Sequence, residues 1–229
     1  MSILNFDNFS VEKIKQRKYR NKNALFPQHI FRMLITGNSG CGKTNCAMDF
    51  ILRKVIFDKI YIYSKHLEQH KYKQLIAFFR KIEEKTGEDI VFTGTTIDEI
   101  VPIEELDEEE QNLIIFDDFL TEKDQTDITN LFIRGRHKNA SIIYLSQSYF
   151  RTPRDIRLNC NYYVFFEIPN RREVSMLYGE LGLDLEKENF VDIYRKATKD
   201  PFSFLFIDRK TLLPQLRYRK NLNGILIEG

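Results

Sequence analysis

Short apolar runs alternate with amphipathic segments along most of the chain. The apolar runs are rich in β-branched and aromatic residues, which predicts β-strands. These strands are expected over residues 31–36, 59–64, 89–94, 112–118, 141–147 and 162–168. In the segments between them, apolar positions recur at three- and four-residue spacing, which predicts helices. The helices are expected over residues 44–54, 67–86, 122–136, 170–181 and 186–198, with a short helix and an acidic connection over 97–111.

The alternation of strands and helices predicts an α/β fold with a mostly parallel central sheet and helices on both faces. Near the end of the chain, residues 202–208 and 212–218 are two further strand-like runs, which predict an antiparallel hairpin around residues 208–211. The chain has 229 residues, enough for one domain with a sizeable core. We therefore expect one domain over residues 29–229, preceded by a polar and basic arm over residues 1–28.

The loop between the first predicted strand and the first predicted helix carries a motif. Residues 37–44 read G-N-S-G-C-G-K-T, which fits the phosphate-binding P-loop pattern G-x-x-x-x-G-K-[ST]. Glycines let the backbone curl so that successive N–H groups face phosphate oxygens, and the helix N-terminus adds partial positive charge. Lys43 can reach the β- and γ-phosphates, and the Thr44 hydroxyl can hold Mg²⁺. The sequence therefore predicts a nucleoside-triphosphate site. Its binding residues are Gly37, Asn38, Ser39, Gly40, Cys41, Gly42, Lys43, Thr44 and Asn45.

Two aspartates, Asp117 and Asp118, end the apolar strand predicted over residues 112–118. With a P-loop upstream, this is the Walker B position, where carboxylates lie beside the γ-phosphate. Asp117 is predicted to bind Mg²⁺, directly or through water, and Asp118 to orient and deprotonate the attacking water. Because neighbouring side chains alternate along a strand, only one of the two is expected to point straight at the metal. The alternative is an ordinary acidic turn after a strand.

Polar residues around the next strand complete the candidate catalytic set. Gln147 ends that strand, where its amide can donate to phosphate and accept from water. Arg134 and Arg136 precede the strand, and an arginine held at a subunit edge could complete a neighbour's site. A second set of candidates for contact with phosphate or DNA consists of Arg151, Arg154 and Arg157. The sequence leaves open which arginine acts on a neighbour and which has a structural role.

Composition narrows the class of protein. Lys and Arg number 35 and Asp and Glu 33, a net charge of +2, which does not fit a monomer that coats nucleic acid. Positive charge is concentrated over residues 13–22 and negative charge over residues 104–110, and either run could simply be solvated. We expect no membrane span and no signal peptide, since no run is long and apolar enough. The three cysteines lack metal-ligand spacing and the histidines show no ligand or base pattern.

Taken in order, the motifs resemble the DNA-packaging ATPases of poxvirus-like large DNA viruses, virophages and related mobile elements, which belong to the HerA/FtsK superfamily of P-loop motors. The resemblance covers about residues 28–170. Its most specific part is residues 134–159, more so than the P-loop, which many families share. The three blocks that carry it are G-N-S-G-C-G-K-T, L-I-I-F-D-D and R-G-R-H-K-N-A-S-I-I-Y-L-S-Q-S-Y-F-R-T-P-R-D-I-R-L-N.

The resemblance implies a RecA-like P-loop NTPase core of the ASCE type. Such a core has an added strand between the Walker A and Walker B strands, for which residues 59–64 and 89–94 are candidates. ATP and Mg²⁺ are the implied cofactors, and double-stranded DNA is the implied substrate, moved into a preformed capsid. The implied partners are copies of this chain in a ring, usually a hexamer, and capsid or portal-vertex proteins. The implied location is the host cytoplasm, the viral factory or the virion.

The resemblance also implies roles for single residues. Lys43 and Thr44 match the Walker A residues, Asp117 matches the metal-binding acid, and Gln147 matches the glutamine that ends the next strand. The position of the superfamily's trans-acting arginine is occupied by Arg136, and Arg134 is close enough to compete.

The chain departs from the family pattern at one position. Many members have Asp-Glu at Walker B, whereas this chain has Asp117-Asp118. Aspartate is shorter by one methylene, so the attacking water must lie closer or be bridged. Three other functions stay open: a HerA/FtsK-like translocase for plasmid or element transfer, a small P-loop nucleoside or nucleotide kinase whose lid would be Arg151 and Arg154, and a nucleotide-binding switch without turnover.

Overall fold

The structure is a computed structural model that describes residues 21, 23–119, 121–122, 124–182 and 185–226. The basic run over residues 13–22, and with it most of the expected arm, lies outside the described residues apart from Asn21. The last residues of the expected arm are hydrogen-bonded to residues of the sheet, since the Gln28 amide donates to the Tyr162 hydroxyl at 3.2 Å and Arg219 donates to the Leu25 carbonyl at 2.8 Å.

A single mixed sheet organises the described residues, with strand order β3-β2-β4-β5-β1-β6-β7-β8-β9. The pairs from β3 through β6 are parallel, and those from β6 to β9 are antiparallel. This confirms the predicted parallel sheet with an antiparallel C-terminal part. The strands are β1 (Arg32–Thr36), β2 (Lys59–Ser64), β3 (Val91–Gly94), β4 (Asn112–Asp117), β5 (Ala140–Ser146), β6 (Tyr162–Phe165), β7 (Leu205–Asp208), β8 (Tyr218–Lys220) and β9 (Gly224–Ile225).

Helices cover both faces of the sheet, as predicted. Side chains alternate along β1, so that Leu34 belongs to one buried cluster and Ile35 to the other. The cluster around Ile35 contains buried residues of α1 and α2, and the cluster around Leu34 contains buried residues of α3 to α6. In the described residues the helices are α1 (Lys43–Arg53), α2 (His70–Thr86), α3 (Thr126–Arg134), α4 (Arg154–Asn159), α5 (Arg171–Leu181) and α6 (Lys187–Thr198).

The strand order corrects one expectation. Neither residues 59–64 nor residues 89–94 lie between the Walker A strand β1 and the Walker B strand β4. That place is taken by β5, which pairs with β1 on one side and with β4 on the other. The two expected candidates, β2 and β3, continue the sheet beyond β4, where Ile62 pairs with Ile115. The order of strands along the chain therefore differs from their order in the sheet.

The C-terminal hairpin is confirmed, but its loop is longer than predicted. The second strand begins at Tyr218 rather than at Leu212, whose side chain is 95% exposed. A 3₁₀ turn over Pro214–Leu216 occupies part of the predicted strand, since proline fixes φ and lacks an N–H to donate to the sheet. The short helix α4 and the strand β9 were not predicted. Between β3 and β4 the chain forms 3₁₀ turns over Ile97–Glu99 and Ile103–Glu105.

Candidate active site

The P-loop joins the carboxyl end of β1 to α1, as predicted. Gly40 has a φ of 78° and Gly42 a φ of 106°, in the left-handed region that side chains disfavour. At Gly37 the limit is steric, because a Cβ there would lie 2.6 Å from Cys41 Sγ and 2.7 Å from Phe166 Cβ. Glycine is therefore required at these positions by backbone conformation or by packing, and the loop keeps its curl for that reason.

Lys43 folds back over the loop that it follows. Its Nζ donates to the Gly37 carbonyl at 2.7 Å and to the Asn38 carbonyl at 2.9 Å. An ammonium group has three hydrogens, so one donor remains for a phosphate oxygen. The first turn of α1 contains no acidic side chain, and its N-cap, Gly42, provides no side-chain cap. The helix N-terminus therefore keeps its positive end open to an anion.

Asp117 ends β4 in a largely buried position beside α2. Its Oδ2 accepts a hydrogen bond of 2.6 Å from the hydroxyl of Tyr72, which is itself buried. Burial raises the pKa of the Asp117 carboxyl above its usual value, and the hydrogen bond from Tyr72 opposes that rise. A carboxylate in such a place is stabilised by a cation, since burial without a partner disfavours its charge.

Asp118 leaves the strand with a φ of 64°. Strand alternation therefore ends at Asp117, and both aspartates line the same cleft. The expectation that only one of them points straight at the metal stays a prediction. The Asp118 carboxylate is contacted from two sides, by Gln147 Nε2 at 3.4 Å from its Oδ1 and by His66 Nε2 at 3.2 Å from its Oδ2. Gln147 thus lies beside the predicted catalytic acid.

His66 is a site residue that the sequence analysis missed. It lies two residues beyond β2, and β2 pairs with β4 so that Ser64 is opposite Asp117. Its ring bridges Asp118 and Glu68, the latter at 3.4 Å from Nδ1. The only signal in the sequence is a histidine just past a strand end. That signal has meaning only when the strand is known to neighbour β4.

The P-loop, the two aspartates and Gln147 surround one cleft of about 510 Å³. Parallel strands bring their carboxyl ends to one edge of the sheet, and the Gly37 amide donates to the Ser146 carbonyl across that edge at 3.2 Å. The lining residues are Ser39, Gly40, Gly42, Lys43, Thr44, Asn45, His66, Gln69, Lys71, Asp117, Asp118, Leu145, Gln147 and Phe202.

The cleft offers oxygen donors that suit Mg²⁺, namely the Thr44 hydroxyl and the Asp117 carboxylate. Within the described residues, no cluster of three or more histidine, cysteine or acidic side chains forms a complete metal cage. The three cysteines are free thiols.

Arg134 and Arg136 lie near the amino ends of the parallel strands, on the opposite side of the sheet from the cleft. They precede Ala140, where β5 begins, whereas the P-loop follows the carboxyl end of the parallel strand β1. The seven-residue β5 separates the two edges by roughly 20 Å. Both arginines are exposed, and Arg134 Nη2 lies 3.9 Å from Glu104 Oε1. The structure therefore does not bring them to the cleft of their own chain.

Arg157 has a structural role, which corrects its proposed contact with phosphate or DNA. Its side chain is buried, pairs with Glu180 Oε1 at 3.0 Å and donates to the Thr152 carbonyl at 3.0 Å. Its guanidinium also lies over the ring of Tyr149, 5.0 Å from the centroid. These contacts occupy its donors on both sides. The other two candidates of that set, Arg151 and Arg154, are exposed.

A family model described as "Poxvirus A32 protein" matches residues 17–211, which is well over half of the chain. The chain belongs to the poxvirus A32 protein family. This match confirms the resemblance found in the sequence motifs, and with it a P-loop ATPase of the viral genome-packaging type. The matched residues contain the P-loop, both aspartates, Gln147 and the candidate arginines.

Solved structures with the same fold include the genome packaging NTPase B204 from Sulfolobus turreted icosahedral virus 2. Its complex with sulfate has 11% identity and a TM-score of 0.55, covering 79% of this chain and 92% of that chain. Its complex with ATP-gammaS has 11% identity and a TM-score of 0.52, covering 79% and 93%. B204 from Sulfolobus turreted icosahedral virus has 13% identity and a TM-score of 0.53, covering 80% and 94%. At these identities the likeness establishes the fold alone.

A search of curated proteins found no match to the chain. In the part of the chain that the structure describes, no helix has both the length and the apolar character needed to cross a bilayer.

Proposed function

We propose that the cleft of this A32-family ATPase hydrolyses ATP and that the energy moves double-stranded DNA into a viral capsid. The observation that carries the proposal is the convergence of the P-loop, the Asp117–Asp118 pair and Gln147 at one sheet edge. A packaging motor takes DNA as its substrate. Its place of action would be the host cytoplasm or the viral factory, or the virion if it stays with the particle.

Several residues in the cleft have roles that their contacts support. The P-loop amides and Lys43 would hold the phosphates, and the ammonium group would stabilise charge that develops on the γ-phosphate. Asp118, held between His66 and Gln147, would orient the attacking water and accept its proton. Thr44 and Asp117 would hold Mg²⁺, which when bound neutralises phosphate charge. Gln147 would contact both the water and the γ-phosphate through its amide.

The arginines support a site shared between subunits. Among the described residues, no arginine lines the cleft, so an arginine from the amino ends of a second chain's parallel strands would complete it. Arg134 and Arg136 are exposed near the amino ends of those strands, in the place that the family resemblance assigns to the trans-acting arginine. A head-to-tail contact that closes on itself gives a ring, whose centre can surround DNA. We therefore include a ring-shaped oligomer, which binds capsid or portal proteins, in the proposal.

Mixing inactive subunits tests the shared site. Arg136→Ala and Lys43→Ala are each expected to lack ATPase activity alone, but a mixture of the two should recover part of it. The reason is that some interfaces then pair an intact P-loop with an intact arginine. Steady-state ATP hydrolysis is measured across mixing ratios, with Arg134→Ala in place of Arg136→Ala as the matched comparison. Absence of recovery with either arginine variant at every ratio would contradict a shared site.

The motor itself is tested by ATPase assays with and without linear duplex DNA, with particle size measured in the same samples. Stimulation by DNA together with ring-sized particles is the expected result, because hydrolysis is coupled to a polymer held in the ring. A chain that stays monomeric under all nucleotide and DNA conditions, and transfers phosphate to a nucleoside, would be a kinase instead. Binding of ATP without turnover would indicate a switch.

A further inference from the structure

Phe202 lies in the loop between α6 and β7, at the rim of the cleft. It is a large apolar residue, yet 71% of its surface is exposed. Its φ is 61°, in the left-handed region, where a bulky side chain is a genuine outlier. Its Cδ1 lies 3.3 Å from the position that a Cβ on Gly42 would occupy, so one edge of the ring is set against the P-loop. Neither burial nor local conformational preference explains this residue.

The loop that carries Phe202 is fixed on both sides. Asp200 forms an ion pair with Lys220 on β8, and its carbonyl accepts a hydrogen bond of 3.0 Å from the Ser203 amide. After Phe202, the Phe204 amide donates to Asn221 Oδ1 at 3.2 Å. Strained and exposed residues that are held in place in this way occur at ligand sites. An ion pair and hydrogen bonds therefore hold the loop in place on both sides of Phe202.

Two cavities meet at Phe202. One is the cleft over the P-loop, and the other is a groove of about 530 Å³ between α1 and the β8–β9 end of the sheet. Phe202 lines both of them. The groove has polar edges and is lined by Asp49, Lys54, Phe202, Phe204, Lys220, Asn221, Leu222, Asn223 and Gly224.

We infer that Phe202 stacks on the nucleobase of the bound nucleotide and that the groove beside it receives the base. The inference rests on the proposed nucleotide site. The triphosphate and the base lie at opposite ends of a nucleoside triphosphate, so its site needs two adjoining compartments. The cleft supplies the first compartment and the groove supplies the second, with an aromatic face at the junction. Stacking on an aromatic ring accepts any base, since every base has a π-face. Asn223 and Asp49 line the groove and would contact the edge of the base.

Fluorescence offers a direct test, because the chain contains no tryptophan. Phe202→Trp introduces a single indole at the junction, and ATP is expected to quench its emission by stacking. Inorganic tripolyphosphate, which has the charges but no base, is expected to bind without that quenching. Phe78→Trp is the matched control, since Phe78 is half-exposed on α2 and does not line either cavity. Its emission should respond to neither ligand.

Affinity gives a second and independent readout. Phe202→Asn removes the ring but keeps a residue that tolerates positive φ, so the loop conformation is retained. We expect ATP to bind this variant about 10-fold more weakly, while the affinity for tripolyphosphate stays the same. Phe202→Tyr should bind ATP like the wild type.

Equal losses for ATP and tripolyphosphate, or ATP binding that the Phe202→Asn change leaves untouched, would overturn base stacking. So would quenching of Phe202→Trp by tripolyphosphate to the same extent as by ATP. Failure of the nucleotide site itself gives a different result, in which the wild-type chain binds neither ATP nor tripolyphosphate.

Discussion

Replacing Lys43 with alanine is expected to lower the rate of ATP hydrolysis by at least about 10²-fold. The ammonium group has two connected tasks in the structure. It braces the P-loop by donating to the Gly37 and Asn38 carbonyls at 2.7 and 2.9 Å, and its third hydrogen is available to a phosphate oxygen. Alanine removes the positive charge from the cleft and leaves both carbonyls without this donor. Steady-state ATP hydrolysis and equilibrium ATP binding are measured on the same variant, so that a loss of catalysis can be compared with a loss of binding.

The matched control for Lys43→Ala is Lys73→Ala. Lys73 is an exposed lysine on α2 that does not line the cleft, so its removal changes net charge by the same amount. Its activity should equal that of the wild type. Wild-type activity in Lys43→Ala itself would remove the P-loop from the proposed mechanism. Circular dichroism of both variants separates a catalytic loss from a folding defect.

Changing Asp118 to asparagine is expected to reduce kcat by about 10²- to 10⁴-fold while ATP binding is kept. Asparagine has the shape of aspartate, so it can still contact His66 and Gln147, which lie 3.2 and 3.4 Å from the carboxylate. It cannot accept a proton from the attacking water. Single-turnover hydrolysis and equilibrium ATP binding are the two measurements. Loss of both together would assign Asp118 to metal binding or to folding instead.

Asp118→Glu is the conservative comparison, because many members of the family carry glutamate at this position. The longer side chain restores a base and places it one methylene further into the cleft. We expect this variant to hydrolyse ATP. The ratio of its rate to the wild-type rate shows how well His66 and Gln147 position the shorter aspartate. Activity in the glutamate variant with none in the asparagine variant would isolate proton acceptance as the role of residue 118.

Local motifs in the sequence were sufficient for the family and for much of the site. The P-loop is recognised in the sequence from the spacing of its glycines, lysine and threonine. In the structure it lies between β1 and α1, where glycines at 37, 40 and 42 permit the turn. The apolar runs predicted most of the strands and helices, since alternating and three- to four-residue periods reflect which faces are buried. The family match confirms the resemblance, whereas the roles of single residues and the domain division stay predictions.

Strand order lies beyond what such motifs determine. The pairing of β5 with both β1 and β4 is made by segments far apart in the chain, and it explains why Gln147 reaches Asp118. The same order brings β2 beside β4 and thereby brings His66 to the Asp118 carboxylate. Hydrophobic periodicity gives the face on which a side chain lies but carries no information about which strands are neighbours.

What the sequence by itself determined is the set of chemical groups: the P-loop amides and lysine, the paired carboxylates and the terminal glutamine. Tertiary structure alone decided which other side chains lie at the cleft and which lie elsewhere. It buried Arg157 against Glu180, placed Arg134 and Arg136 at the far edge from their own cleft, and presented Phe202 beside Gly42. The physical reason is that a motif is read from neighbours along the chain, whereas burial, ion pairing and the junction of two cavities depend on contacts between distant segments.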